Sequence, residues 1–316
     1  MPRRSRIHAG MSRIALLFLV LFAARGLAAQ QAPELRGWAT NTQKRSIEWG
    51  ELMSGGPPKD GIPAIDTPRF VSQEAASAWI EPQEPVIAVA IDGQARAYPL
   101  QILTWHEIVN DELAGVPVAV TFCPLCYAAV AYDRRVGDRT YRFGVSGMLR
   151  YSDMIMFDRE TESFWQQLTG EGIVGDLTGA HLTPIPAQIV SFKQFRASYP
   201  TGDVLSRETG HQRDYGRNPY AGYDDIDQRP FLYRGPDDPR LRPMEKVVTV
   251  HIGDAFQAYP YGITRKAGVI NDTVEDVALV VFHGKGAVSA LDASSIADSR
   301  EVGTTGCSTA RSMGGC

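Results

Sequence analysis

The sequence predicts a β-rich α+β protein: two related halves of mostly antiparallel strands with short helices, the second half incomplete. Three observations lead there. Glu84-Pro-Val-Ile-Ala-Val-Ala-Ile-Asp-Gly-Gln-Ala-Arg-Ala-Tyr-Pro99 aligns without a gap with Glu245-Lys-Val-Val-Thr-Val-His-Ile-Gly-Asp-Ala-Phe-Gln-Ala-Tyr-Pro260, so the chain carries its own internal comparison. Alternation of apolar and polar residues recurs along the chain, whereas helical periodicity is confined to short stretches. Twenty prolines and 30 glycines punctuate these runs, which favours many turns and short elements.

The elements follow in order. Arg3, Arg4, Arg6 and Arg13 precede the apolar run Ile14 to Ala24 and the small residues around Gly26-Leu-Ala-Ala29, the pattern of a secretory signal peptide over 1–29, with Met11 as an alternative start. Its apolar core falls short of the ~20 residues a bilayer span needs. The expectation is export to a periplasmic or extracellular location, with no membrane span in the mature chain. Residues 30–80 form an irregular N-terminal segment with a short helix from Glu74 to Trp79. A first repeat domain over 81–244 has strands near 86–91 and 94–98, a helix near 100–108, a turn at Asn110-Asp111, and a strand at 117–122 that runs into Cys123.

Further strands are expected at 128–133, 139–144 and 154–157, and a helix from Ser191 to Tyr199 stopped by Pro200. Residues 213–227 form a loop rich in Tyr and Asp. Its acidic spacing does not match a calcium-binding loop, and it reads as surface packing over a domain junction. A partial second repeat covers 245–302. Residues 303–316 have no apolar periodicity and are expected to be a disordered tail, with a truncated or frameshifted end. Net charge is −4, and no basic stretch is interleaved with aromatics, which argues against a nucleic-acid partner.

Positions where the two copies differ are free of the shared scaffold's demands. Trp105-His106-Glu107 stands where the second copy has Lys266-Ala267-Gly268, and a one-residue gap sets Cys123 opposite His283 and Cys126 opposite Gly286. The candidate site is therefore Cys123-Pro124-Leu125-Cys126 with His106. A C-x-x-C pair forms a small-ring disulfide or holds a soft metal. In the redox reading one cysteine attacks, the other resolves, and His106 assists proton transfer. The substrate is an unidentified thiol, disulfide or peroxide, and no cofactor is required. In the metal reading Cys123, Cys126 and His106 are ligands. Structural zinc wants four ligands whereas Cu(I) accepts two or three, so copper is the better match, with His181, His211, His251 or His283 as further candidates. A third reading is a non-enzymatic extracellular binding module whose cysteines form an inert disulfide. Cys307 and Cys316 lie in the Gly/Ser/Thr-rich tail and are given no catalytic role.

Trp105-His-Glu with Asn110-Asp111, Cys123-Pro-Leu-Cys126, Phe143-Gly-Val-Ser-Gly147, Asp158-Arg-Glu-Thr-Glu-Ser-Phe-Trp165-Gln and Arg213-Asp-Tyr-Gly-Arg-Asn-Pro-Tyr220 together resemble the bacterial domain of unknown function 3179 family, from about Ile80 to Asp292. Some members of that family are described as selenoproteins with selenocysteine in the cysteine motif. For this chain the resemblance implies that Cys123 or Cys126 is redox-reactive. Family members continue past the second half seen here, so the last stretch is expected to fold incompletely.

Overall fold

The structure, a computed structural model, describes residues 35–309; the signal peptide predicted over 1–29 lies outside them. The chain is strand-rich with few short helices, as expected. The strands of the first part are β1 (Leu52–Ser54), β2 (Phe70–Val71), β3 (Pro85–Ile91), β4 (Gln94–Pro99), β5 (Ile108–Leu113), β6 (Val116–Cys123) and β7 (Ala128–Asp133). Then come β8 (Arg135–Val136), β9 (Arg139–Thr140), β10 (Phe143–Arg150), β11 (Asp153–Asp158), β12 (Phe164–Gln166), β13 (Gly172–Val174), β14 (Thr183–Ile185), β15 (Ala187–Ser191) and β16 (Asp203–Leu205). The helices here are α1 (Gln73–Ala76), α2 (Leu100–His106) and α3 (Phe192–Ser198). The N-terminal segment is thus woven in: β1 pairs with β10 and β2 with β16.

Three sheets stack around the region that matters. Their orders are β1-β10-β11-β12-β13, β14-β7-β6-β5 and β15-β3-β4-β16-β2; every pairing is antiparallel except β16 with β4. Strand β6 is interior and buried on both faces from Val118 onward, which accounts for its unbroken apolar sequence. Period-two alternation sends Val118, Val120 and Phe122 into one apolar cluster with α2 and the inner face of β3. Ala119 and Cys123 point the other way, into a cluster with Phe143, Met154, Met156 and Trp165. Each large side chain fully buried in these layers contributes ~1.5–3 kcal/mol.

Asn110 and Asp111, expected to turn, lie mid-strand in β5, and the turn falls at Ala114-Gly115, both with positive φ. Polar residues survive in this buried strand because each is bonded. The Asn110 side chain donates to Phe143 O at 2.8 Å and to Asp66 Oδ1 at 2.7 Å, and accepts Phe143 N–H at 2.8 Å. Asp111 Oδ2 accepts from Tyr98 Oη at 2.7 Å and Arg96 Nη1 at 2.6 Å. The strand expected at 139–144 breaks into β9 and the start of β10.

The later part contains β17 (Val247–Ile252), β18 (Ala255–Pro260), α4 (Tyr261–Ala267), β19 (Val269–Val274), β20 (Val277–Gly284) and β21 (Thr304–Thr309). Its first five elements have the order and lengths of β4 through β6 with α2, preceded by a slightly longer β3. The registers coincide: Ile108 pairs with Thr121, and Val269 with Phe282. Phe122 N–H donates to Glu107 O and His283 N–H to Gly268 O, each at 2.8 Å. Tyr259 Oη donates to Asp272 Oδ2 at 2.9 Å, matching the Tyr98–Asp111 bond. The tail expected to be disordered from 303 is instead ordered over Thr304–Thr309, which pair with β20. Ladder hydrogen bonds need no apolar periodicity, and three threonines suit an edge strand. Cys316 lies outside the described residues.

Candidate functional site

These registers correct the one-residue gap. In its own unit Gly284, not His283, occupies the place of Cys123, and His283 that of Phe122. No gap is needed, because the hydrogen-bond ladder fixes pairing more tightly than residue likeness does.

The site is built where β6 ends. Pro124 opens a single 3-10 turn over Pro124–Cys126, and Tyr127 then takes a φ of 49°, returning the chain as β7 with Ala128 beside Cys123. This reversal brings Cys126 back over Cys123, with Cys126 Sγ 3.9 Å from Cys123 O. Both thiols are free. Cys123 is 1% exposed, whereas Cys126 keeps part of its surface open.

The facing wall is the β10–β11 turn. Tyr151 and Ser152 have φ of 52° and 70°, the signs of a type I′ turn that usually takes Asn-Gly. Two residues with side chains in this region cost ~1–2 kcal/mol each. The turn is held by the site itself. Ser152 O accepts the Cys123 thiol at 3.8 Å, and Asp153 Oδ1 accepts the Cys126 thiol at 3.4 Å. The other oxygen of Asp153 accepts Gln166 Nε2 and Leu168 N–H, both at 3.0 Å. Burial outweighs these donors and pushes the Asp153 carboxyl up to about 6. Burial also pushes the Cys126 thiol well up, and the neighbouring Cys123 sulfur and Asp153 carboxylate add to it.

One ligand atom from each of Cys123, Cys126 and Asp153 lies within 4.8 Å of the others, a grouping able to hold a metal ion. His106, predicted as the third member, is not in it. Its Nδ1 bonds Pro63 O and its Nε2 bonds Tyr215 Oη, each at 2.7 Å, and Thr209 Oγ1 bonds the same hydroxyl at 2.6 Å. A consistent arrangement is a neutral ring donating through Nδ1 and accepting through Nε2. Burial, then the nearby His211 and Arg213, lowers the His106 pKa to about 4 against the pull of Pro63 O. None of His181, His211, His251 or His283 joins the group among the described residues. His251 stacks on Phe256 at 4.0 Å, and His283 bonds Thr305.

The adjacent Glu107 points elsewhere. At the end of α2 it has a φ of 59° and is 6% exposed. Burial alone raises its carboxyl to about 8. The 213–227 loop closes this side. Tyr223 Oη donates to Leu125 O at 2.9 Å, inside the cysteine motif, and accepts Phe231 N–H at 2.8 Å. The Tyr220 hydroxyl is pushed up by burial and then by the nearby Glu107 and Cys123.

Asp153, Tyr220 and Tyr223 were missed as site residues in the sequence. The available signals were a carboxylate heading the apolar Met154-Ile-Met-Phe157, a two-residue turn without glycine before it, and a tyrosine cluster in an Asp/Gly loop. Among the described residues no helix is long and apolar enough to cross a membrane.

No curated protein and no solved structure matches the chain. The family model described as a protein of unknown function (DUF3179) matches residues 59–313, which span the cysteine motif, its carboxylate, the tyrosine loop and both β-β-α-β-β units; the chain belongs to that family.

Proposed function

We propose that Cys123 and Cys126 form a dithiol redox centre that exchanges with a disulfide substrate, with Asp153 as proton acceptor for Cys126. One observation carries this reading: two free thiols share a turn, and the more exposed of them contacts a buried carboxylate at 3.4 Å. Cys126 gives its proton to Asp153, and its sulfur attacks one sulfur of the substrate disulfide. A mixed disulfide forms, and one substrate thiolate leaves. Cys123 then loses its proton and attacks Cys126, releasing the second thiolate and leaving a Cys123–Cys126 disulfide. The protein is oxidised by two electrons as the substrate is reduced to two thiols. A thiol pushed up by burial is unreactive until its proton is taken, which is the part the carboxylate plays.

Export through residues 1–29 fits a dithiol that meets disulfides in an oxidising compartment. The matching β-β-α-β-β units fit two copies of one scaffold, of which the first carries the chemistry. A small chromogenic disulfide tests the reading. Cys126→Ser is expected to abolish reaction. Cys123→Ser is expected to stop at a mixed disulfide visible by mass spectrometry. Asp153→Asn is expected to slow the first step at pH 7 by ~10²-fold, the low end for loss of a general base. If neither thiol of the folded wild-type protein reacts faster than a model thiol, the reading fails.

A second reading is supported by the three-donor grouping: Cys123, Cys126 and Asp153 would hold a soft or borderline ion such as Cu(I). Metal analysis of protein recovered from its native compartment separates the two. Stoichiometric metal, lost in the Cys123→Ser/Cys126→Ser double variant, favours this second reading. Metal-free protein with two reactive thiols favours the first.

A further inference from the structure

Two large side chains on strained backbone line one cavity. Tyr151, in the β10–β11 turn, has a φ of 52°, and Leu232, in the loop that follows Tyr223, has a φ of 55°. Gly or Asn would satisfy either position at less cost, so the two side chains need a reason outside their turns. With Met53 of β1 they form the apolar side of a cavity of about 320 Å³, and Glu48, Glu51 and Arg234 lie on its polar side. That volume is at the lower end for ligand pockets. The wall is fixed in advance. Glu51 Oε2 accepts the Tyr151 hydroxyl at 3.0 Å and Arg150 Nε at 2.8 Å, and the Tyr151 ring lies 6.4 Å from that of Tyr233.

Both walls of the cavity lead directly to the thiols. Tyr151 is followed by Ser152, whose O accepts the Cys123 thiol at 3.8 Å, and by Asp153, whose Oδ1 accepts the Cys126 thiol at 3.4 Å. Leu232 follows Phe231, whose N–H bonds Tyr223 Oη at 2.8 Å, and that hydroxyl donates to Leu125 O, between the two cysteines, at 2.9 Å. Two residues of extended chain span ~7 Å. A polypeptide with its own cysteine at Cys126 therefore reaches the cavity with a side chain only a few positions away. Tyr151 and Phe231 are both exposed, as is Leu168, whose N–H bonds the Asp153 carboxylate at 3.0 Å. Exposed apolar side chains grouped in this way mark an interaction surface, whereas scattered single ones do not.

We infer that this cavity seats an apolar or aromatic side chain lying within about three residues of the substrate's cysteine, so that the substrate is a disulfide in a polypeptide with apolar flanking residues. This rests on the redox reading proposed above. The bonds made and broken, and the two electrons transferred, are those of the exchange given there; the cavity adds orientation, holding the substrate's S–S bond beside Cys126. Charge on the wall is balanced. Glu51 pairs with Arg150 at 2.7 Å, and Glu48 and Arg234 offset one another. No net charge there selects a strongly anionic ligand such as glutathione disulfide, and the apolar side is what remains to discriminate. The Arg234 guanidinium has no hydrogen bond or ion pair among the described residues and is available to a backbone carbonyl of the bound peptide.

The test uses the full chain and hexapeptides whose single cysteine is joined to nitrothiobenzoate as a mixed disulfide, with Phe, Ser or Glu two positions before it, together with the same derivative of glutathione. Each exchange that ends in a Cys123–Cys126 disulfide releases one nitrothiobenzoate, read by its absorbance. At low substrate concentration the Phe peptide is expected to react about 10-fold faster or more than the other three compounds, a gain that burial of one large apolar side chain supplies. Leu232→Asn suits the positive φ while replacing the apolar wall by an amide, and is expected to slow the Phe peptide until the Phe-to-Ser ratio falls below about 3-fold. Met53→Gln, of similar length, carries the test if thermal unfolding shows that the asparagine variant does not fold. Equal rates for the Phe and Ser peptides in the wild type, or a ratio that both variants leave unchanged, overturn the role of the cavity and leave the dithiol reading standing. A folded wild-type protein that releases no nitrothiobenzoate from any of these compounds overturns the redox reading and this inference with it.

Discussion

His106 is bonded on both ring nitrogens by residues far from it in the chain. With Pro63 O on one nitrogen and the Tyr215 hydroxyl on the other, the buried ring is held neutral, its pKa down at about 4. The unfolded chain binds a proton there near 6.5. Stability from neutral burial is therefore complete above about pH 6.5 and is lost as pH falls through 4, to a total of about 3 kcal/mol. His106→Gln should be less stable than wild type at pH 7, yet its stability difference between pH 7 and pH 4 should shrink by about that amount in urea unfolding. An unchanged difference would mean that His106 is not the titrating group. Glu107, one residue on, has the opposite sign. Its raised carboxyl favours the fold at low pH and loses that contribution between about pH 4.5 and 8.

At the scale of elements, β5 joins two sheets that share no ladder. Asn110 exchanges two hydrogen bonds with the backbone of Phe143, the first residue of β10, and so fixes the distance between the sheet carrying Cys123 and the sheet carrying Asp153. Truncation leaves a buried N–H and a buried carbonyl without partners. Asn110→Ala should cost about 2–4 kcal/mol, since each orphaned group is worth ~1–3 kcal/mol. Thermal or urea unfolding reads this directly, and a loss below about 1 kcal/mol would mean that water replaces the clamp. The sequence supports a turn at Asn110-Asp111 because Asn and Asp favour turns locally. Bonds from residues 33 positions away and from Tyr98 override that preference. The strands of β3, β4, β6 and β7, by contrast, were legible from alternation and apolar runs, because what stabilises them is written into neighbouring residues.

At the scale of the molecule, the tyrosine loop, the later unit and the site meet at one buried anion. Asp224, 2% exposed on its side chain, pairs with Lys246 at 3.0 Å and Arg300 at 2.9 Å and accepts from Ser289. Lys246 also lies 4.2 Å over the ring of Tyr127, the residue after Cys126. Removing the carboxylate strands a largely buried ammonium, so Asp224→Ala should cost about 3–5 kcal/mol, the range for breaking a buried pair. It should also release the loop that carries Tyr220 and Tyr223, raising the alkylation rate of Cys126 in protein that stays folded. A variant that keeps wild-type stability would show that Asp224 is not the tie. Coverage differs between the two units: Ile102 is fully buried, whereas Ile263 in the matching place is 57% exposed.

The strand-rich class, the family resemblance, the matching segments and the marked cysteine pair are all readable in the chain alone. Each depends on residues close together in the chain, where alternation, turn chemistry and motif spacing are local properties. What surrounds the thiols follows from contacts between distant parts of the chain. Asp153 lies 27 residues beyond Cys126, and the tyrosines that cover the motif come from almost a hundred residues further along. The adjacent residues His106 and Glu107 part company at the end of a helix, where Glu107 takes a positive φ and its carbonyl accepts the N–H of the strand returning beside it. The carboxylate beside Cys126 and the two bonds on the His106 ring come from burial and partners that no short window of sequence contains.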